Sequence, residues 1–253
     1  MSCCTSPSLD VNSFTLDHIL TVGELSIHYG LRDLMEWFYP AFRHLILSRH
    51  SPLRTMQNTF YVRMMKLALQ MKSTELLGAI QASWANRINS GGLSPLWALL
   101  FADMYGLHDL LGHACYAYLI CVHSCIENGQ CFNERRLLKP RQTLYILSGY
   151  HSLQTYWTHF GRHPPEFQAD PECALHTQCI QVWKQRWSIF LSRIKGRFPE
   201  VDVLNRLGLM LQLLTDDAIL NICLSPSCRT SALDALTRKR DRVSHQLHHH
   251  FDI

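Results

Sequence analysis

The sequence lacks the marks of most familiar protein classes. It has no Asn-x-Ser/Thr glycosylation acceptor. Its N-terminus, Met-Ser-Cys-Cys-Thr-Ser-Pro-Ser, has neither the basic stretch nor the apolar core of a secretion signal. No uninterrupted apolar run reaches the about 18 residues expected of a membrane span. Gly-x-x-x-x-Gly-Lys-Ser/Thr, Gly-x-Gly-x-x-Gly, Gly-x-Ser-x-Gly and His-Glu-x-x-His are all missing, which removes the common phosphate-binding, dinucleotide-binding, hydrolase and zinc-protease readings. No acids stand paired at catalytic spacing, so the chain is read as a non-enzyme. Charge is sparse, with 17% charged residues and a net charge of +4. That balance is too mild to argue for nucleic acid without a basic cluster. Alternation of period two between hairpin turns is absent, so no substantial sheet is predicted.

What remains is apolar and helical. Of 253 residues, 47% are hydrophobic, a globular balance far from that of disordered chains. The length suits one large domain or two modest ones. Ten cysteines are scattered along the chain, as in proteins of a reducing compartment whose thiols stay free. An intracellular location follows, in cytoplasm or nucleus.

The clearest stretch runs from Ser94 to Val122. Ser94 caps a helix, Pro95 fits its first turn, and Gly106 fits the left-handed position that ends it. Leu110, Leu111, Ala114, Cys115, Tyr118, Cys121 and Val122 then recur every three to four residues, which predicts a second helix with an apolar stripe. Two earlier helix pairs resemble this one. The first spans Thr15 to Leu47 with Gly30 at the joint, and Pro40 is expected to bend or shorten its second helix. The second spans Thr59 to Ile88, with Ser73 as cap at the joint. Gly30-Leu31-Arg32-Asp33-Leu34 parallels Gly106-Leu107-His108-Asp109-Leu110, and Met71-Lys72-Ser73-Thr74-Glu75 stands at the equivalent place. Asn89-Ser90-Gly91-Gly92 is the strongest turn signal.

Three regions are predicted: a polar tail over 1–13, helical hairpins over 14–127, and a C-terminal helical region over 128–253. In the last, Pro140 to Phe160 carries an apolar stripe of Leu144, Leu147, Tyr150, Leu153, Trp157 and Phe160. Asp170-Pro171-Glu172 reads as the start of a helix that carries Trp183 and Trp187. Asp202 caps the next, through Leu214. A basic helix runs from Ser227 towards His250. The fold class is therefore all-α, stacked helical hairpins with a C-terminal helical segment packed on them.

The best chemical constellation is four cysteines in two pairs, Cys173 with Cys179 and Cys223 with Cys228. A tetrahedral thiolate site of this kind would hold a structural zinc and staple two helix starts together. Five and four residues separate the partners, wider than most zinc fingers use, and His176 is available to replace one thiolate. The competing reading is four small buried hydrophobes. Cys115, Cys121 and Cys125 fall on or beside a stripe and read as core. Cys3 and Cys4 sit in the tail. His245, His248, His249 and His250 crowd the C-terminus, where adventitious metal binding is the most they suggest. Arg238-Lys239-Arg240-Asp241-Arg242 reads as the solvated face of the last helix, without the interleaved aromatics of a nucleic-acid groove. The aromatic stripes read as core.

Ala98 to Leu119, with Ala102, Tyr105-Gly106-Leu107, Leu110-Leu111, Ala114 and Tyr116, resembles the helical region that follows the BTB/POZ fold, and Ile19 to Leu45 does so more loosely. The second half resembles the BTB-domain proteins of mushroom-forming fungi. There a Cys pair precedes a tryptophan-rich helix and a second Cys pair, and an Arg-containing helix leads to a terminal Phe. The matching residues here are Cys173, Cys179, Trp183, Trp187, Cys223, Cys228, Arg240 and Phe251. The resemblance covers residues 14 to 253 and implies the adaptor half of a BTB-type protein, which recognises protein partners and touches no membrane. The BTB fold itself would precede the first hairpin, so the chain is expected to be a truncated or naturally short form. An uncovered outer face on the first hairpin would favour self-association. The alternative is a zinc-stabilised regulator that contacts nucleic acid through the basic C-terminal helix.

Overall fold

The structure, a computed structural model, describes residues 15–48, 51–129, 137–168 and 173–253. Among them are twelve α-helices and no strand. The all-α class read from the apolar periodicity is the fold observed. Helix contacts cluster into two units, one through Phe101 and one from Ala102.

The N-terminal unit holds α1 (Leu16–Tyr29), α2 (Arg32–Leu47), α3 (Asn58–Gln70), α4 (Thr74–Asn89) and the start of α5 (Pro95–Tyr105). α1 packs on α2 and α3, and α4 packs on α3 and α2. Phe38, Phe42, Tyr61, Met64, Met65 and Trp84 are buried between them. The Tyr61 hydroxyl donates to the Leu53 carbonyl at 2.5 Å, and the Trp84 indole N–H donates to Asn58 at 2.8 Å. Each buried aromatic therefore keeps a partner for its polar atom, as burial demands. On the surface Arg63 of α3 clasps Glu24 of α1 at 2.7 and 2.8 Å and also reaches Asp17. Pro40 sits inside a continuous α2, which it does not shorten. Leu25, Tyr29, Leu31 and Leu34 of α1, α2 and their joint are exposed.

The paired-helix joints share one backbone device. Gly30, Lys72 and Gly106 all adopt positive φ, at 64°, 53° and 65°. The next residue then donates its N–H five residues back: Leu31 to Ser26, Ser73 to Ala68, and Leu107 to Ala102. This is the Schellman closure, which satisfies a carbonyl left free at a helix end. Two joints use glycine for it, and the middle one uses lysine. Left-handed backbone costs a side-chain-bearing residue about 1 kcal/mol. Lys72→Gly is therefore expected to stabilise the protein by about that amount, read as a higher urea midpoint.

The C-terminal unit continues with α6 (His108–Glu127), α7 (Pro140–Arg162), α8 (His176–Ile194), α9 (Val203–Thr215), α10 (Ala218–Cys223), α11 (Pro226–His245) and α12 (Leu247–His250). α6 packs on α7 and α12 within this unit. α6 is long and apolar enough to cross a membrane by length and composition, although no such run was expected from the sequence. Half of that stretch is buried inside the protein, as in the core helix of a globular unit. α8 packs on α9, and α9 on α11. Trp183, Trp187, Phe190 and Ile194 of α8 and Leu207, Met210 and Leu214 of α9 are all buried. The Trp183 and Trp187 indoles donate at 3.1 Å to the Pro165 and Gly161 carbonyls, which fixes the chain leaving α7. Asp202 caps α9 as expected and also accepts from the buried Tyr116 hydroxyl at 2.6 Å. α10 was not foreseen. It is one short turn set, capped by Asp217, within what reads as linker.

Candidate functional site

Three of the four cysteines foreseen as ligands, Cys173, Cys179 and Cys228, sit at two helix starts. His176 is the first residue of α8, and Cys179 lies one turn on, so their side chains share a face. Cys173 precedes the helix by three residues. At the other start, Ser225 caps α11 by accepting from the Cys228 N–H at 3.3 Å, and Pro226 occupies the first helical position. That places Cys228 in the first turn, where free N–H groups and the helix dipole favour an anionic ligand.

These residues converge. The ligand atoms of Cys173, His176 and Cys228 all lie within 4.8 Å of one another. His176 Nδ1 stands 3.4 Å from Cys228 Sγ, and Cys173 Sγ stands 3.8 Å from Cys179 Sγ. Cys179 and Cys228 are buried, and Cys173 and His176 are half-buried. The environment also separates the thiols. The Ser225 hydroxyl, followed by the Leu175 N–H, pulls the Cys173 thiol below the ordinary cysteine range. Burial pushes Cys179 upward, against a hydrogen bond from the Ser225 backbone. Donors to sulfur are therefore built in at both helix starts. Cys173, His176 and Cys228 could hold a metal ion through two sulfurs and one imidazole, and Cys179 stands beside this triad through its contact with Cys173.

Cys223 is not in this group. It ends α10 with its side chain exposed, whereas His176, the alternative to one thiolate in the sequence reading, stands with Cys173 and Cys228. The spacing accommodates the histidine alternative. Counted as cysteine pairs, the separations are five and four. Counted with His176, the first run is Cys173-x-x-His176-x-x-Cys179, with the two-residue gaps that metal-binding loops favour. That signal was present in the sequence.

Other sequence candidates scatter. Cys115 is buried in α6, where burial raises its thiol far above the ordinary range. Cys121 and Cys125 are half-buried on the same helix. Of the C-terminal histidines, His248 stands 3.3 Å from Asp109, His250 shares a hydrogen with Ser152 at 2.8 Å, and His245 faces its own helix carbonyl at Asp241. In the basic run, Arg240 pairs with the adjacent Asp241, and Lys239 lies over the Tyr156 ring. Asp170, Pro171, Glu172, Cys3 and Cys4 lie outside the described residues.

A second feature lies between α6 and α7. The stripe on α7 is longer than the core beneath it: Leu153, Trp157 and Phe160 are buried, but Leu144, Leu147 and Tyr150 are exposed. With Val122 and Ile126 of α6, Leu147 and Tyr150 line a groove of about 250 Å³ whose exposed surface is almost wholly hydrocarbon. Tyr118 and Ile146 also line it. Small-molecule sites run to about 300–1,000 Å³ and carry a few convergent polar groups. This groove is smaller, and although His123 and Thr143 are among its lining residues, they contribute almost nothing to its exposed surface.

No protein family, curated protein or solved structure matches this chain.

Proposed function

We propose that this chain is a non-enzymatic protein-recognition module, the helical adaptor part of a BTB-type protein, and that its α6–α7 groove receives an apolar helix of the partner. The observation that carries the reading is the groove itself. Its rim holds large exposed side chains, with Ile126 at 69% and Leu147 at 61% exposure. Contiguous exposed hydrocarbon of this kind favours a protein partner. The volume suits one or two aliphatic side chains rather than a cofactor, and a nearly uncharged lining selects apolar anchors. An amphipathic helix supplies such anchors at i, i+3, i+4 and i+7. The repeated helix joints at Gly30, Lys72 and Gly106 are in keeping with the helical region that the BTB resemblance implies.

The test is selection from a displayed library of helical peptides against the full chain. Enriched peptides are expected to carry apolar residues at helical spacing. Leu147→Asp, at a position already exposed, is expected to weaken their binding by about tenfold or more while leaving the thermal midpoint unchanged. Peptides that bind equally to the variant, or no enrichment at all, would remove the groove from the proposal.

A further inference from the structure

We infer that Cys173, His176, Cys179 and Cys228 together bind one zinc ion, which ties the start of α8 to the start of α11. The inference is independent of the partner proposed above. It starts from distances. Zinc–sulfur bonds of about 2.3 Å and zinc–nitrogen bonds of about 2.0–2.1 Å set the edges of a tetrahedron at about 3.8 Å between two sulfurs and about 3.6 Å between sulfur and nitrogen. The Cys173–Cys179 separation is 3.8 Å and the His176–Cys228 separation is 3.4 Å. Two edges that share no corner thus have the lengths one ion would impose, and the Cys173, His176 and Cys228 ligand atoms lie within 4.8 Å of one another; Cys179 stands outside that triad and joins it through Cys173 as the fourth ligand we infer.

The donor set selects the ion. Three thiolates and an imidazole are soft to borderline ligands in a tetrahedral set, which suits zinc and does not suit magnesium or calcium. All four corners are protein side chains, so the site is closed and structural, without the open position of a catalytic zinc. Binding releases the thiol protons to solvent, up to three per ion, since the thiolate and not the thiol is the ligand. A dipositive ion with three thiolates leaves one net negative charge. Both helix starts present their positive ends to it, and the Leu175 N–H, the Ser225 N–H and the Ser225 hydroxyl donate to sulfur. Ser225 therefore both caps α11 and orients two ligands, and α10 and α11 are held against α8 by chemistry as well as by packing.

The full chain, purified under reducing conditions without a metal-affinity step, is expected to carry one zinc per chain by elemental analysis. Cobalt substitution is expected to give intense tetrahedral d–d bands together with sulfur-to-cobalt charge transfer. Cobalt on the C-terminal histidines would lack the charge-transfer band. Cys179→Ser and Cys228→Ser are each expected to weaken zinc binding by roughly 100-fold or more, whereas Cys223→Ser leaves it unchanged. His176→Cys keeps a four-ligand site, so it is expected to retain the ion while its cobalt spectrum shifts towards that of four sulfurs; this arm stands even where the serine variants fold poorly. Zinc absent or substoichiometric in the reduced chain, zinc retained undiminished in Cys228→Ser, loss of zinc in Cys223→Ser, or a Cys173–Cys179 disulfide in place of the metal would each overturn the inference.

Discussion

Gly149→Ala is expected to destabilise the C-terminal unit by about 3–5 kcal/mol, the range for losing a buried phenylalanine from a core. Gly149 lies on α7 beneath the ring of Phe251, which is fully buried. A Cβ at position 149 would stand 2.0 Å from Phe251 Cε1 and 2.1 Å from Cδ1, far inside contact distance. The ring has to leave its pocket or α7 has to shift, and close-packed interiors permit neither cheaply. The same segment is closed from the other side by Gly112 of α6, where a Cβ would lie 2.5 Å from the backbone nitrogen of His248. Backbone cannot rotate aside as a ring can. The chain terminus is thus seated between two helices at the two places where they carry no side chain. Leu247 is buried beside it, His250 packs edge-on against Tyr156, and the Ser148 hydroxyl donates to Asp252.

A double-mutant cycle isolates the cause. Phe251→Ala alone is expected to cost a similar amount, because it empties the same pocket. In that background Gly149→Ala has nothing left to strike, so it is expected to be nearly neutral. Gly208→Ala is the control, since Gly208 lies in helix α9 with nothing within 4 Å of an added Cβ. It is expected to stabilise by about 0.5–1 kcal/mol through helix propensity. Urea unfolding of the four variants gives all the terms. Additive losses at 149 and 251 would show that the glycine does not act through the ring.

The C-terminus also shows how far the sequence could be read. Phe251 stood out as a lone apolar residue after three histidines, but nothing local names Gly149 or Gly112 as its seat. They lie about a hundred residues or more away, and only packing brings them together. The helix joints were legible because their cause is local: glycine at 30 and 106 permits the positive φ each turn requires. The middle joint was legible from Ser73, which stands at the N-cap position of α4, and not from Lys72, which carries no such mark. At the Cys/His cluster the residue types were legible and their grouping was not. Cys223 and Cys228 look like partners in sequence, yet Leu224 and the Ser225 cap separate α10 from α11. One sulfur is left facing solvent and the other at a helix start. The same limit applies to α7, where a single apolar stripe gave no sign of where the core ends and the open groove begins.

Asp217→Ala is expected to cost about 3–5 kcal/mol, because it strands a buried cation. Asp217 accepts from Arg186 of α8 at 2.6 and 3.0 Å. The side chains are 6% and 12% exposed, so water can replace neither partner. Arg186 is held over the Phe190 ring at 5.0 Å, which keeps its charge inside when the carboxylate is gone. Asp217 also caps α10 by accepting from the Ile219 N–H at 3.2 Å, and losing a cap adds about 1 kcal/mol. The two roles separate by substitution. Asp217→Asn keeps a capping oxygen and removes the charge, so its loss reports the ion pair alone. Arg186→Met with Asp217→Asn removes both charges and keeps the cap, and is expected to recover most of the loss, since a buried pair contributes little net stability once its desolvation is counted. Because α10 leads directly to Ser225 and Cys228, Asp217→Ala is further expected to loosen zinc more than Asp217→Asn does. Equal losses in both variants, with no recovery in the double variant, would mean that the pair stabilises through its own attraction rather than by neutralising a charge that burial has trapped.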